Sequence, residues 1–213
     1  MSLGVTPFEQ IIAAGRLLAE RGMIAGSDGN ISVRLDKDRI LITRSGVAKG
    51  RMTERDIVVV APNGGHVAGD GKPSSEMLMH LYVYKERPDI MACVHAHPPH
   101  ATAFAVAGVE LDNDVLPEVV VFVGRIPLTE YAPPGTEAVP KALAPHVKTN
   151  NAFLLRNHGL LTVGRTLEEA YNRLETVEQL AKILTLARQL GQVNRIPQDD
   201  LERLSAMRRS FEQ

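Results

Sequence analysis

The chain has 213 residues, with 24 Lys plus Arg against 25 Asp plus Glu and a single cysteine. That balance excludes the strong basic field that draws a protein to nucleic acid or to an acidic membrane, so any anionic ligand must be bound locally. The lone Cys93 excludes an internal disulfide and no apolar run reaches the ~18 residues of a membrane span. The N-terminal segment carries Glu9 and Glu20 where a signal peptide needs a clean apolar core. The expectation is one α/β domain over residues 1–213, working in the cytoplasm.

Thr6, Pro7 and Glu9 mark a helix start: a capping hydroxyl, a proline in the first turn, and a carboxylate that closes a capping box. Phe8, Ile11, Ile12, Leu18 and Ala19 give that helix one apolar stripe, and Gly22 ends it. The period then changes. "ISVRLD", "RILITRSG" and "DIVVVAP" are short, β-branched and punctuated by turn residues, as in a meander of antiparallel strands. "GKPSSEMLMHLYVYKERPD" returns to helical spacing, with Pro73 and Ser74 at its entry and Pro88 past its exit, so that Glu76 falls in the first turn. "IMACVHAH" is the next strand, "PPHATAFAVAG" a helix started by proline, "LPEVVVFVG" an apolar stretch and "RIPLTEY" a further strand. Pro140 and Pro145 keep any helix over 135–148 short or broken. "AFLLRNHGLLTVG" reads as two strands hinged at Asn157, His158 and Gly159. Thr166 with Glu169 forms a second capping box for a long helix, whose apolar positions run from Leu167 to Leu190 before Gly191. The charged tail after Pro197 reads as a short surface helix.

Side chains alternate along a strand, so His95 and His97 point the same way with Cα atoms ~7 Å apart, close enough for one ion. His158, beside a glycine that permits close backbone approach, is the candidate third nitrogen. Three histidines plus a carboxylate or water suit Zn²⁺ or a similar cation such as Mn²⁺ or Co²⁺. Of the other histidines, His100 would have to turn back from its helix, while His66 and His146 read as solvated. His80 is the rival, since it stands four residues after Glu76; among Met77, Leu78, Met79 and Leu81 it reads as a satisfied, half-buried histidine. Three glycine- or serine-bearing turns, "GSDGNIS", "TRSG" and "KPSSE", can together present backbone N–H groups, the Asn30 amide and the Ser45, Ser74 and Ser75 hydroxyls to one phosphate.

The ordered set "GSDGNISVR", "TRSG", "KPSSE", "VHAHPPHATAF", "YAPPGTEA" and "LLRNHGLLTVG" resembles the class II aldolase/adducin family, and within it the fuculose-phosphate aldolase branch. The resemblance spans roughly residues 7 to 190. It implies a three-layer α/β/α fold with a mainly antiparallel central sheet, and a homotetramer with active sites between subunits. By resemblance His95, His97 and His158 match the zinc histidines, and Glu76 matches the acid/base carboxylate that can also ligate the metal. Gly29, Asn30, Ser45, Gly46, Ser74 and Ser75 match the phosphate pocket. The implied reaction is cleavage of a ketose 1-phosphate, such as L-fuculose 1-phosphate, into dihydroxyacetone phosphate and a hydroxyaldehyde through a metal-stabilised enediolate. Relatives on the same scaffold act as sugar-phosphate 4-epimerases, methylthioribulose-phosphate dehydratases or 3-oxo-tetronate-phosphate decarboxylases, and adducin-like members are interaction modules. One departure stands out: the stretch "ELDNDVLPEVVVF", where the family's aldolases often place a tyrosine, has none, which leaves Glu118 and Tyr131 as secondary candidates.

Overall fold

The computed structural model describes residues 4–212. Helix α1 (Pro7–Glu20) starts on a complete capping box: the Glu9 N–H donates to Thr6 Oγ1 at 3.2 Å and the Thr6 N–H donates to Glu9 Oε2 at 2.9 Å. Strands β1 (Asn30–Arg34), β2 (Ile40–Thr43), β3 (Ile57–Val60) and β4 (His66–Ala68) form the expected meander. Helix α2 (Met77–Glu86) leads to β5 (Ala92–Ala96), and helices α3 (Pro99–Ala107), α4 (Pro117–Phe122) and α5 (Ala138–Leu143) follow. Strands β6 (Ala152–Leu155) and β7 (Gly159–Gly164) precede the long α6 (Leu167–Leu190) and the terminal α7 (Gln198–Glu212).

The seven strands make one sheet in the order β4-β3-β2-β1-β5-β7-β6, with every neighbouring pair antiparallel. The alternation of side chains splits the apolar residues between two layers. Ile31, Val33, Ala92, Val94 and Leu160 face α1, α3 and α6, while Ile42, Val58, Cys93, Phe153 and Leu161 face α2 and α5. The result is the three-layer α/β/α arrangement.

Five expectations need correction. Helix α2 begins at Met77 rather than near Ser74, because Pro73 bridges Arg44 and the Ser74 N–H donates to Thr43 O at 3.0 Å, which ties this segment to the sheet. Glu76 is therefore the N-cap residue, not a first-turn residue. "RIPLTEY" is not a strand; Pro127 has no N–H to extend a ladder, and the segment meets β6 through a single parallel bridge, Leu128 with Leu154. Leu190, expected on the apolar stripe of α6, is 90% exposed. His80 is completely buried rather than half-buried, and His146 is half-buried where exposure was expected, while His66 is exposed. The short α5 is as the prolines require, and Thr166 caps α6 by accepting from the Glu169 N–H at 3.1 Å.

Candidate metal centre

Antiparallel pairing brings the start of β1, the end of β2, the end of β5 and the start of β7 to the same end of the sheet. Asn30 pairs with His95 and Ala96 with Leu160, so the three polar turns and all three histidines of interest converge there. The ligand atoms of His95, His97 and His158 lie within 4.8 Å of one another. Gly159 makes this convergence possible: a Cβ at that position would stand 2.6 Å from Ala96 O and 2.6 Å from His97 Cδ2. Asn157, the preceding hinge residue, takes a left-handed φ of 54°, a conformation asparagine tolerates better than most residues.

The arrangement of protons fits a cation. His95 Nδ1 donates to Leu160 O at 3.0 Å, and His97 Nδ1 faces Asp28 Oδ2 at 3.4 Å, which leaves both Nε2 atoms as acceptors. Those two Nε2 atoms are 3.2 Å apart. Two lone pairs facing at that distance repel, whereas two ligands of a tetrahedral ion with bonds of ~2.0–2.1 Å stand about 3.4 Å apart. Glu76 completes the set: Oε1 is 3.1 Å from His158 Nε2 and Oε2 is 3.3 Å from His95 Nε2. Among the described residues no hydrogen-bond donor reaches the buried Glu76 Oε1, the condition a cation would relieve. Burial alone would raise the Glu76 carboxyl, but His95 and His158 outweigh it and hold the group below the usual carboxylate range. Burial, reinforced by His95 and His158, pushes His97 down to about 4.

The anion turns surround this centre. Gly29 is buried with φ 73°, and a Cβ there would meet His95 O at 2.7 Å. Ser45 and Gly46 are exposed after β2, Gly46 in the left-handed region at φ 74° with open space beside it. Ser74 is buried and its Oγ accepts from the Glu76 N–H at 3.3 Å, whereas Ser75 is exposed. The Asn30 side chain is held between Glu76 and His80, which leaves one amide N–H uncommitted.

Glu118 and Tyr131 are both exposed. Glu118 borders a groove with Arg21, Glu175 and Glu178, and Tyr131 lies beside Leu128 and His146. His100 turns away to Glu178, at 2.7 Å from Oε1.

Three residues at this end of the sheet carried no sequence expectation. Asp28 faces His97 as described. Lys49 is only 3% exposed, and its Nζ donates to Ser27 O at 2.6 Å and Val47 O at 2.9 Å, clamping two of the anion turns together. Ser32 lies beneath Asn30 on β1. A lysine wedged in "VAKG" is the one signal that could have drawn attention to the clamp; nothing in the sequence singles out Asp28 or Ser32.

A family profile described as "Class II Aldolase and Adducin N-terminal domain" matches residues 9–185. A 3-oxo-tetronate 4-phosphate decarboxylase of Haemophilus influenzae is 35% identical over 179 residues, 82% of this chain and 85% of that protein. An L-fuculose phosphate aldolase of Methanococcus maripaludis is 34% identical over 174 residues, 82% of this chain and 93% of its own. A solved L-fuculose 1-phosphate aldolase superposes with a TM-score of 0.88 at 33% identity, covering 100% of both chains. Motif order, sheet topology and these likenesses agree: the chain belongs to the class II aldolase and adducin family.

Proposed function

We propose that this protein is a divalent-metal-dependent carbon–carbon lyase that cleaves a ketose 1-phosphate of the L-fuculose 1-phosphate type into dihydroxyacetone phosphate and a hydroxyaldehyde. The observation that carries it is the donorless, buried Glu76 Oε1 set 3.1 Å from His158 Nε2 within a cluster of three histidines. Class II aldolases depend on a divalent metal. His95, His97 and His158 would hold the ion with Glu76 as a fourth donor, and the nitrogen-rich set favours zinc, with Mn²⁺ or Co²⁺ also accommodated. When bound, the ion supplies a Lewis acid for the charge that develops on the ketone oxygen.

The chain's own residues do the rest. The backbone N–H groups of Gly29 and Gly46, with the Asn30, Ser45, Ser74 and Ser75 side chains, bind and orient the phosphate, while Lys49 keeps their turns in register. Glu76 moves the proton at the carbon that loses its neighbour when the C3–C4 bond breaks. The chain functions as a single domain within a cytoplasmic homotetramer, in which a neighbouring copy flanks the active site.

A second reading is loss of CO₂ from a 3-oxo-tetronate 4-phosphate, favoured by the 35% identity to the Haemophilus protein of that name. Both reactions leave negative charge at the same carbon and need the same proton. Purified, metal-loaded protein should be offered fuculose 1-phosphate, ribulose 1-phosphate, ribulose 5-phosphate and a 3-oxo-tetronate 4-phosphate. Dihydroxyacetone phosphate from either 1-phosphate supports the aldolase. Turnover of the 3-oxo-tetronate 4-phosphate alone, to CO₂ and dihydroxyacetone phosphate, transfers the function to the decarboxylase, and an epimer or no product at all rejects the lyase.

A further inference from the structure

Glu76, His80 and Tyr84 follow one another at intervals of four, so a single stripe of α2 and its cap carries three polar groups into the layer between helix and sheet. Asn30 and Ser32, two apart on β1, face them. Among the apolar side chains of that layer these five form a continuous seam, in which His80 has no exposed surface.

The proton positions follow from its carboxylate end. Glu76, ionised, only accepts, so the Asn30 amide must turn Nδ2 toward it, and Nδ2 donates to Oε2 at 2.8 Å. Asn30 Oδ1 then faces His80 Nε2 at 2.5 Å. A carbonyl oxygen only accepts, so the His80 proton is on Nε2 and Nδ1 is bare. Ser32 Oγ, 2.7 Å from Nδ1, donates there, and the Tyr84 hydroxyl, 2.7 Å from the same oxygen, donates to Ser32. All four hydrogen bonds run in one direction and end on the carboxylate. Burial, with His95 nearby, pushes His80 down to about 3, in keeping with a neutral ring.

We propose that His80 is a positioning residue for Glu76: its Nε2–H fixes which way the Asn30 amide faces, and that amide holds Oε2 so that Oε1 is turned to the histidine cluster. Without this donor the amide is free to flip, and a flipped Oδ1 would repel the carboxylate it now holds. The inference rests on the reading of Glu76 as the proton-transfer group.

Two measurements test it. On metal-free protein at pH 7, ¹⁵N-labelled histidine resolved by NMR should show His80 with a protonated Nε2 and a bare Nδ1. The opposite tautomer, or a doubly protonated ring, overturns the chain of donors. In kinetics, His80→Leu should lower kcat by about 10- to 100-fold, the scale of an ångström-level misplacement, more than it raises KM for the sugar phosphate, with the three histidines still holding metal. His80→Gln, which keeps an N–H donor, should recover most of the loss. On an Asn30→Ala background His80→Leu should have no further effect on kcat, because the two act as one unit. If His80→Leu melts earlier but keeps full kcat well below its Tm, His80 only fills space and the positioning role is wrong. The tautomer is read without metal or substrate, so the two readings fail separately. An inert wild type with the Nε2–H tautomer sinks the lyase and supports the chain, and an active one with Nδ1–H does the reverse.

Discussion

At the scale of single residues, the spacing of the histidines is itself a geometric statement. Two histidines two apart on a strand must share a face, and His158 is set apart by the glycine that follows it. Glu76 has its expected acid/base role from the family resemblance and not from its position, since an acidic residue near a helix start ordinarily complements the helix dipole for about 0.3–1 kcal/mol. Its contacts with His95 at 3.3 Å and His158 at 3.1 Å support the proposed proton-transfer use. Glu76→Gln keeps the shape and loses the base, so kcat should fall by about 10²–10⁴-fold with metal and fold retained. Near-parental turnover in that variant would return Glu76 to the dipole role. Ser75 belongs to a different kind of contact, exposed and suited to binding phosphate alike in ground and transition states. Ser75→Ala should therefore raise KM for the phosphorylated ketose more than it lowers kcat, and steady-state kinetics with an unchanged KM would remove the phosphate from this turn. The Asn30–His80–Ser32 seam was not legible at all, because two segments 48 to 50 residues apart must come together before its members touch.

Among the elements, those governed by local chemistry came through in the sequence. The Thr6 capping box, the proline-limited α5 and the Thr166 cap each depend on residues within five of one another. "RIPLTEY" misled because Ile126 and Leu128 are buried or half-buried as in a strand, while Pro127 denies the ladder its second donor. The start of α2 misled for a tertiary reason, since Pro73 and Ser74 are claimed by β2 before the helix can use them. The β6–β7 hairpin shows how tightly element and site are joined. Its hinge places Gly159 so close to β5 that a methyl group there would contact Ala96 O and His97 Cδ2 at 2.6 Å. Backbone atoms of a central strand cannot yield cheaply, so Gly159→Ala should cost about 1–3 kcal/mol of stability. The displaced His97 should weaken metal binding as well. A Tm and a zinc titration equal to the parent's would show that the hairpin shifts freely.

For the whole molecule, the strand runs were readable but their order was not. Nothing local says that β1 lies beside β5, and that one adjacency assembles the site by setting Asn30 against His95. The same adjacency buries an ionisable seam, and that burial governs how the fold responds to acid. His80 is faced by His95 and Glu76, and burial lowers it from the ordinary 6.5 to about 3. Between those values the unfolded chain binds a proton that the folded chain refuses, so stability must rise with pH across this window. The contribution is complete above about pH 6.5 and is lost progressively as pH falls toward 3. One such proton sets a slope of at most ~1.4 kcal/mol per pH unit. His97, lowered to about 4, works in the same direction until metal takes its place. The expected outcome is that metal-free protein loses Tm steadily from pH 6.5 downward, with a shallower loss in His80→Gln, whose side chain does not titrate. The absolute Tm of that variant is not the test, since removing a buried ring changes it at every pH; the slope is. Parallel pH profiles for parent and variant would mean that His80 already carries a second proton in the fold, so that Nδ1 donates to Ser32 Oγ instead of accepting from it.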